Sequence, residues 1–381
     1  MTVTVASLSS GYGGLEMALR LWLGEHVDVR WHSEIDADAS LVLKTHWPEV
    51  PNLGSFTEPG FWERAERTHV QCGGIPCQGF SAAGRQLGEA DPRHLWPFWR
   101  PGIELHRPAT VVFENVANLT RGKMRPIFDG IVADLLDLGY DVRWCLLGAC
   151  AVGAAHHRHR VFLLACRTRA TPHAAQVKVQ TCGQHAAAYL PSPRALDHTM
   201  GPASRKSDGG VNGLSSIPSL LPTPSAVSYG SNQGGGAGPV RRASDALARL
   251  ELLRSPNARD GDGARGQGSI EHMRRRMESG HTINLGDQVQ LLMPGWGKYA
   301  EAIARHQAVL GRPAPEPMEI GPKGGRRLAA AFSEWLMMLP AGHLTSVLDR
   351  NPALARAGNG VVPLQAATAL GLLFADLTGR S

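Results

Sequence analysis

The sequence predicts an α/β protein: a Rossmann-like, mostly parallel sheet with helices on both faces, plus a smaller irregular domain. Three observations predict it. Over the first 170 residues, short β-rich runs alternate with helical patterns, the arrangement that buries parallel strands beneath crossover helices. Residues 171–325 then turn rich in Gly, Ser, Pro and Arg, with loop-like stretches such as SDGGVNG and RDGDGARGQG. After Arg326 the helical texture returns. With 43% hydrophobic and 19% charged residues over 381 positions, the chain can bury real cores, and its length suits two domains.

Taken in order, Val3–Ser9 is a β-branched strand that ends in Gly11-Tyr12-Gly13-Gly14. Leu15, Leu19, Trp22 and Leu23 then share one face of a helix. Val27–Ile35 reads as a second strand. His69–Cys72, Thr110–Phe113, Val142–Leu147 and Val161–Cys166 read as four more, with helices such as Ile127–Leu138 between most of them. Within the irregular region, Ala246–Leu253 and Leu285–Met293 offer apolar patches, which argues for a small domain rather than a linker. Leu328–Leu339 and Leu364–Leu377 are helical again. The resulting division is 1–170, 171–340 and 341–381, the last segment returning to the first domain.

No apolar run reaches the roughly 18–20 residues of a membrane span, and the N-terminus lacks the basic and apolar regions of a secretory signal. The six cysteines form no CxxC pair and no Cys/His cluster at zinc spacing. They read as reduced thiols of a cytoplasmic protein. Residues 201–330 hold 17 Lys and Arg against 11 Asp and Glu, so the whole net charge of +6 lies there. That excess reads either as a solvated surface or as a phosphate-binding face.

A strand, a glycine-rich turn and a helix bring a ligand close to a helix N-terminus. The GxGG spacing lacks the third glycine of a dinucleotide fingerprint. Glu34 ends the second strand about 20 residues later, where an acid can take both ribose hydroxyls. Together they favour an adenosine-containing ligand. Cys77, in Gly73-Gly74-Ile75-Pro76-Cys77-Gln78-Gly79, follows Pro76 at a strand end and opens a long polar loop. That context suits a nucleophile more than a buried structural thiol. Glu114 ends the next strand, where burial would make it an acid or hydrogen-bond donor. Arg158 and Arg160 enter an extended segment two residues apart and are expected to share a face. The histidine run around them lacks further ligands at metal spacing, and no metal is expected.

These blocks, in this order, resemble the DNA (cytosine-5)-methyltransferase family. Ser10-Gly11-Tyr12-Gly13-Gly14 resembles its first motif, Pro76-Cys77-Gln78 its nucleophile motif and Glu114-Asn115-Val116 its ENV motif. Arg158-His159-Arg160 resembles QxRxR. Arg327-Leu328 through Leu339-Pro340 resembles the block after the target-recognition region, and Gly358-Asn359-Gly360-Val361-Val362-Pro363 the last motif. LPTPSAVSYGSNQGG is similar to recognition regions of phage and actinobacterial members. The chain departs from the pattern at Ser9 and Ile75, where the family has Phe, at Ser55, where it has an acid, and at His156, where it has Gln.

The resemblance implies an S-adenosylmethionine-dependent enzyme that methylates C5 of a flipped cytosine in double-stranded DNA. Cys77 would add to C6, Glu114 would neutralise N3, and Arg158 and Arg160 would hold O2. Gly11, Tyr12, Gly13, Gly14, Glu34, Ile35, Ser55, Pro76, Asn359 and Gly360 would line the cofactor pocket. Residues 171–340 would be the target-recognition domain. The implied setting is a monomer, with a cognate restriction endonuclease as a potential partner. A tRNA substrate on the same scaffold and a catalytically weak DNA-binding relic remain as alternatives. Amino-methylating enzymes would need a Pro-Pro motif that the chain lacks.

Overall fold

The computed structural model describes residues 2–75, 95–167, 174–177, 252–261, 270–279, 284–292, 295–322 and 324–379. Pro76 and Cys77 lie outside this set. A seven-stranded sheet organises the chain: β1 (Val3–Leu8), β2 (Val27–Ser33), β3 (Val70–Gly73), β4 (Thr110–Val116), β5 (Tyr140–Gly148), β6 (His159–Arg167) and β7 (Ala174–Gln176). Its order is β2-β1-β3-β4-β6-β5-β7. The pairs β1–β2, β1–β3, β3–β4 and β5–β7 are parallel, whereas β6 runs antiparallel to both β4 and β5. All six strands expected from the sequence form. The short β7 and the reversed direction of β6 were not anticipated, because β-rich composition carries no sign of strand direction.

The strands are apolar on both faces, as a covered sheet requires. Alternate residues enter opposite cores: Val5 and Val112 face one, while Ala6, Val111 and Phe113 face the other. Helix α1 (Gly14–Leu23) covers the first face. On the second face lie α3 (Phe61–Arg64), α4 (Trp96–His106) and α5 (Arg125–Asp137), while Val42 of α2 (Ala37–His46) joins the first core. Pro126 at the start of α5 suits a helix N-terminus, where its missing N–H costs nothing.

Beyond the sheet come α6 (Ile270–Glu278), α7 (Leu285–Leu292), α8 (Ala300–Leu310), a hairpin of β8 (Met318–Ile320) and β9 (Arg326–Leu328), α9 (Ala330–Leu336), α10 (Arg350–Asn359) and α11 (Pro363–Leu377). Leu253, Leu285, Val289, Ile303 and Trp335 join the same core as α1 and Val5. Helix α11 returns to the sheet. Its Phe374 meets Trp22 of α1 edge-on at 5.5 Å, and the Gln365 amide donates to the carbonyls of Leu147 and Arg158, each at 2.8 Å. Arg350–Leu377 has the length and apolarity to cross a membrane, longer than the sequence reading allowed for. It is broken between α10 and α11, and much of it is buried against the protein.

Cys72, Cys145 and Cys166 are free thiols. Cys150 is disulfide-bonded, so the expectation of six reduced cysteines does not hold there.

Candidate active site

Four strand ends line up. In the register of the parallel strands, Ser33 of β2 pairs with Leu8 of β1, Leu8 with Gly73 of β3, and Gly73 with Phe113 of β4. The next residues are therefore neighbours along one sheet edge: Glu34, the glycine turn, the segment leading to Cys77, and Glu114. This is the edge at which open α/β sheets bind ligands.

At the first two strand ends, the backbone N–H of Gly11 donates to Glu34 Oε2 at 2.8 Å. Glu34 Oε1 accepts from the N–H groups of Ile35 and Asp36 at 2.9 and 2.8 Å. Asn52 fixes the backbone of Glu34 from behind, its Oδ1 accepting at 3.0 Å and its Nδ2 donating at 3.0 Å. The carboxylate is thereby aimed at the glycine turn. Gly11 has φ +57° and open space where a Cβ would stand, a conformation that L side chains rarely adopt. Ile35 is 78% exposed. An acid, a glycine with open space beside it and an exposed apolar side chain fit an adenosyl group. Ser55 lies nearby: its hydroxyl is 2.7 Å from Thr57 Oγ1, and the preceding carbonyl, of Gly54, accepts from Ser33 Oγ.

Tyr12 occupies a different place from the rest of the turn. Its ring is 1% exposed, its hydroxyl donates to the Val361 carbonyl at 2.6 Å, and burial raises its pKa. A Cβ on Gly360 would stand 1.8 Å from the Tyr12 ring, so glycine is needed there for contact. Thus Gly360 reaches the glycine turn through Tyr12, while Asn359 is exposed at the end of α10. Arg356 of α10 pairs with Asp36 at 2.6 Å, a second tie between the C-terminal segment and the Glu34 segment.

At the other end of the edge, Arg160 Nε lies 3.0 Å from Glu114 Oε1. Glu114 is buried, and desolvation raises its pKa, although Arg160 and Arg158 oppose the shift. A carboxyl held above its ordinary range keeps a proton more readily than a surface acid. The Asn115 amide donates to the carbonyl of Ile75 at 3.1 Å. Ile75 is the last described residue before Pro76 and Cys77, so β4 holds the approach to the candidate nucleophile.

Arg158 and Arg160 do not face the same partner. Arg158 has a left-handed φ of +33°, and its guanidinium donates to the carbonyls of Pro256 at 3.4 Å, Gly358 at 3.0 Å, and Gly360. Burial lowers its pKa to about 9. The strand β6 begins at His159, so the alternation expected of i and i+2 in an extended segment does not extend back to Arg158. His156 is also buried: Nε2 contacts the Leu336 carbonyl at 2.7 Å, and its pKa falls to about 3, mainly through desolvation. Among the described residues no group of three or more His, Cys, Asp or Glu could hold a metal.

Sequence reasoning missed Glu16 and His32, a buried pair 3.2 Å apart beneath the glycine turn, and His343, whose Nε2 lies 2.8 Å from the Tyr12 carbonyl. Glu16 sits at the position after Leu15 on an otherwise apolar helix start, a signal that periodicity alone treats as solvent-facing. A lone histidine carries none.

The family model described as C-5 cytosine-specific DNA methylase matches residues 3–196, just over half of the chain. Type II methyltransferase M.HgiBI of Herpetosiphon aurantiacus is 33% identical over 161 residues, covering 41% of this chain and 36% of that relative. Type II methyltransferase M.NaeI of Lentzea aerocolonigenes is 28% identical over 175 residues, covering 45% and 42%. The matched stretch thus spans well under half the length of these relatives. Among solved structures, a Spodoptera frugiperda DNMT2 mutant superposes with a TM-score of 0.53 at 14% identity, covering 98% of this chain and 100% of that one. The Entamoeba histolytica methyltransferase EhMeth gives 0.52 at 16%, covering 99% of each. At such identities the likeness speaks for the fold.

Proposed function

The chain belongs to the C-5 cytosine-specific DNA methylase family, and on that premise we propose that it methylates C5 of a flipped cytosine in double-stranded DNA, using S-adenosylmethionine. The observation that carries this reading is the shared sheet edge, where Leu8, Gly73 and Phe113 stand in register. From it continue the glycine turn, the segment to Cys77, and the buried Glu114–Arg160 pair.

Gly11, Glu34 and Ile35 would hold the adenosyl end of the cofactor. Gly13, Gly14, Ser55, Pro76, Asn359 and Gly360 complete the proposed lining, and Tyr12 acts from beneath it. Bound there, S-adenosylmethionine supplies the electrophilic methyl that cytosine C5 takes. The protein's part is to make C5 nucleophilic. The Cys77 thiolate forms a bond to C6 and pushes electrons through the ring towards N3. Glu114, with its raised pKa, shares a proton with N3, and Arg160 stabilises the charge alongside. Loss of the C5 proton to a base then expels Cys77 and restores the aromatic ring. None of these groups reaches a stacked base, so the cytosine must leave the helix.

Residues 171–340, which carry the net positive charge, are assigned to target recognition through phosphate and base contacts. Two measurements test the reading. Bisulfite sequencing of DNA from cells expressing the chain should reveal 5-methylcytosine at a defined sequence; unmodified DNA would favour a relic or an RNA substrate. Cys77→Ala should abolish both this methylation and the covalent adduct on 5-fluorocytosine DNA, where fluorine blocks the final elimination. An adduct that survives the substitution removes Cys77 from the role.

A further inference from the structure

The adenosyl end of the proposed cofactor pocket is assembled from two pieces of chain: the Gly11–Gly14 turn, and the segment from Glu34 into α2. A third piece, more than 300 residues from the first, joins them. In the turn after Pro340, His343 Nε2 lies 2.8 Å from the carbonyl of Tyr12, so its N–H donates to the peptide that links Tyr12 to Gly13. The same peptide's N–H donates to Ser10 O at 3.0 Å. Both sides of that peptide plane are therefore held. The carbonyl of His343 in turn accepts from Nε2 of His46, the last residue of α2, at 2.8 Å. The two imidazoles stack with centroids 4.1 Å apart and planes 12° from parallel. Trp47 packs edge-on against both.

The turn that presents His343 is itself fixed. The buried carboxylate of Glu334 accepts from the N–H groups of Gly342, Leu344 and Thr345 at 2.7, 2.7 and 2.9 Å. His343 is 4% exposed, and burial lowers its pKa. It therefore stands as a neutral donor whose only described side-chain hydrogen bond goes to the glycine turn.

We propose that His343 is a positioning residue for the cofactor pocket, locking the glycine turn to the helix that follows Glu34. The inference rests on the reading of this pocket as an S-adenosylmethionine site. A histidine that merely filled space would be replaceable by another ring. A positioning donor is not, because without it the Tyr12 carbonyl is left buried and unpaired, and the peptide plane keeps only its bond to Ser10.

The experiment titrates S-adenosylmethionine and S-adenosylhomocysteine calorimetrically into the full chain, as wild type and as three variants, with thermal melts alongside. His343→Phe keeps a ring to stack on His46 but removes the donor; it should raise Kd about tenfold. His343→Asn, whose shorter amide does not reach Tyr12, should do the same and stands in if the Phe variant does not fold. His343→Gln carries an N–H at similar reach and should bring Kd back to within about threefold of wild type. In steady-state assays the cofactor KM should rise in the Phe variant while kcat stays close to wild type. Wild-type Kd in the Phe and Asn variants overturns the proposal, as does a Gln variant as weak as the Phe variant. Failure of the wild type to bind either compound is a different result, since it removes the pocket reading and the inference falls with it.

Discussion

Replacing Arg158 should unseat the C-terminal segment before it touches the chemistry. The guanidinium bridges three backbone carbonyls, of Pro256, Gly358 and Gly360, from a residue held at φ +33°. A left-handed backbone on a non-glycine residue costs roughly 1–3 kcal/mol, a cost the three bonds must offset. Charge-assisted bonds contribute about 1.5–3 kcal/mol each, roughly 4–9 in total. Against this stands the penalty of holding the cation away from water, which lowers its pKa to about 9 and amounts to several kcal/mol. The net expectation for Arg158→Ala is a loss of about 3 kcal/mol, because the carbonyls stay buried without a donor. Arg158→Lys keeps the charge, but its single ammonium lacks the planar fork that spans separated acceptors, so it should restore only part of the loss. Thermal unfolding with and without cofactor, measured beside turnover, separates the two roles. Arg160→Lys is the contrast: it should lower turnover with little change in melting temperature. An Arg158→Lys enzyme that melts like wild type yet has lost turnover would place Arg158 on the substrate and refute the argument.

Three further outcomes follow from the same geometry. Gly360→Ala puts a methyl 1.8 Å from the buried Tyr12 ring; it should cost roughly 2–4 kcal/mol of stability and weaken cofactor binding, which melts and calorimetry would report. Glu114 has a raised pKa through burial, so its stabilising effect is present below the ordinary carboxylate range and is lost as pH rises through the folded value. If its proton serves N3, turnover should fall over that same rise, and Glu114→Gln should be slower but lack this dependence; an unchanged profile in the variant would assign the fall to another group. His156 and His306 are buried and neutral, each with its pKa lowered to about 3. Their stabilisation is complete above the ordinary histidine value and is lost as pH falls through the range below it, by roughly 2 kcal/mol each near pH 5. His306→Gln should flatten the acid limb of melting temperature against pH, and an unaltered limb would show that His306 does not contribute to it.

The strands were legible because each had to be apolar on both faces, and that demand leaves runs such as Val111-Val112-Phe113 in the sequence. The turn at Gly11 and its tie to Glu34 were legible for a different reason: a positive φ at the end of a strand calls for glycine. Arg158 was legible as a candidate but not in its direction. Alternation along an extended segment gives the face of a side chain only once the strand has begun, and β6 begins one residue later. His343, Glu16 and His32 were not legible. Their positions follow from contacts across more than ten to several hundred residues, and nothing local distinguishes a buried histidine from an exposed one. The hairpin β8–β9 was missed because its strands are only three residues long, too short for a period of two to show.

The polar contacts tie the proposed pocket to both ends of the chain. Tyr12 bonds to Val361, His343 to Tyr12, Arg356 to Asp36, and Gln365 to Leu147 and Arg158. Each joins the first half of the chain to the last 40 residues, and all but the partly exposed Arg356–Asp36 pair involve a buried group. The apolar side of α1 makes the same demand, since Leu15 and Leu19 share their core with Leu370 and Leu373 of α11. The stretch matched by the family, residues 3–196, holds the glycine turn, Glu34, Cys77 and Glu114, yet it supplies neither the cover for α1 nor the donor to the Tyr12 peptide. The residues proposed for chemistry thus lie in the first half of the chain, and contacts from the last 40 residues add to those that the first half makes among them.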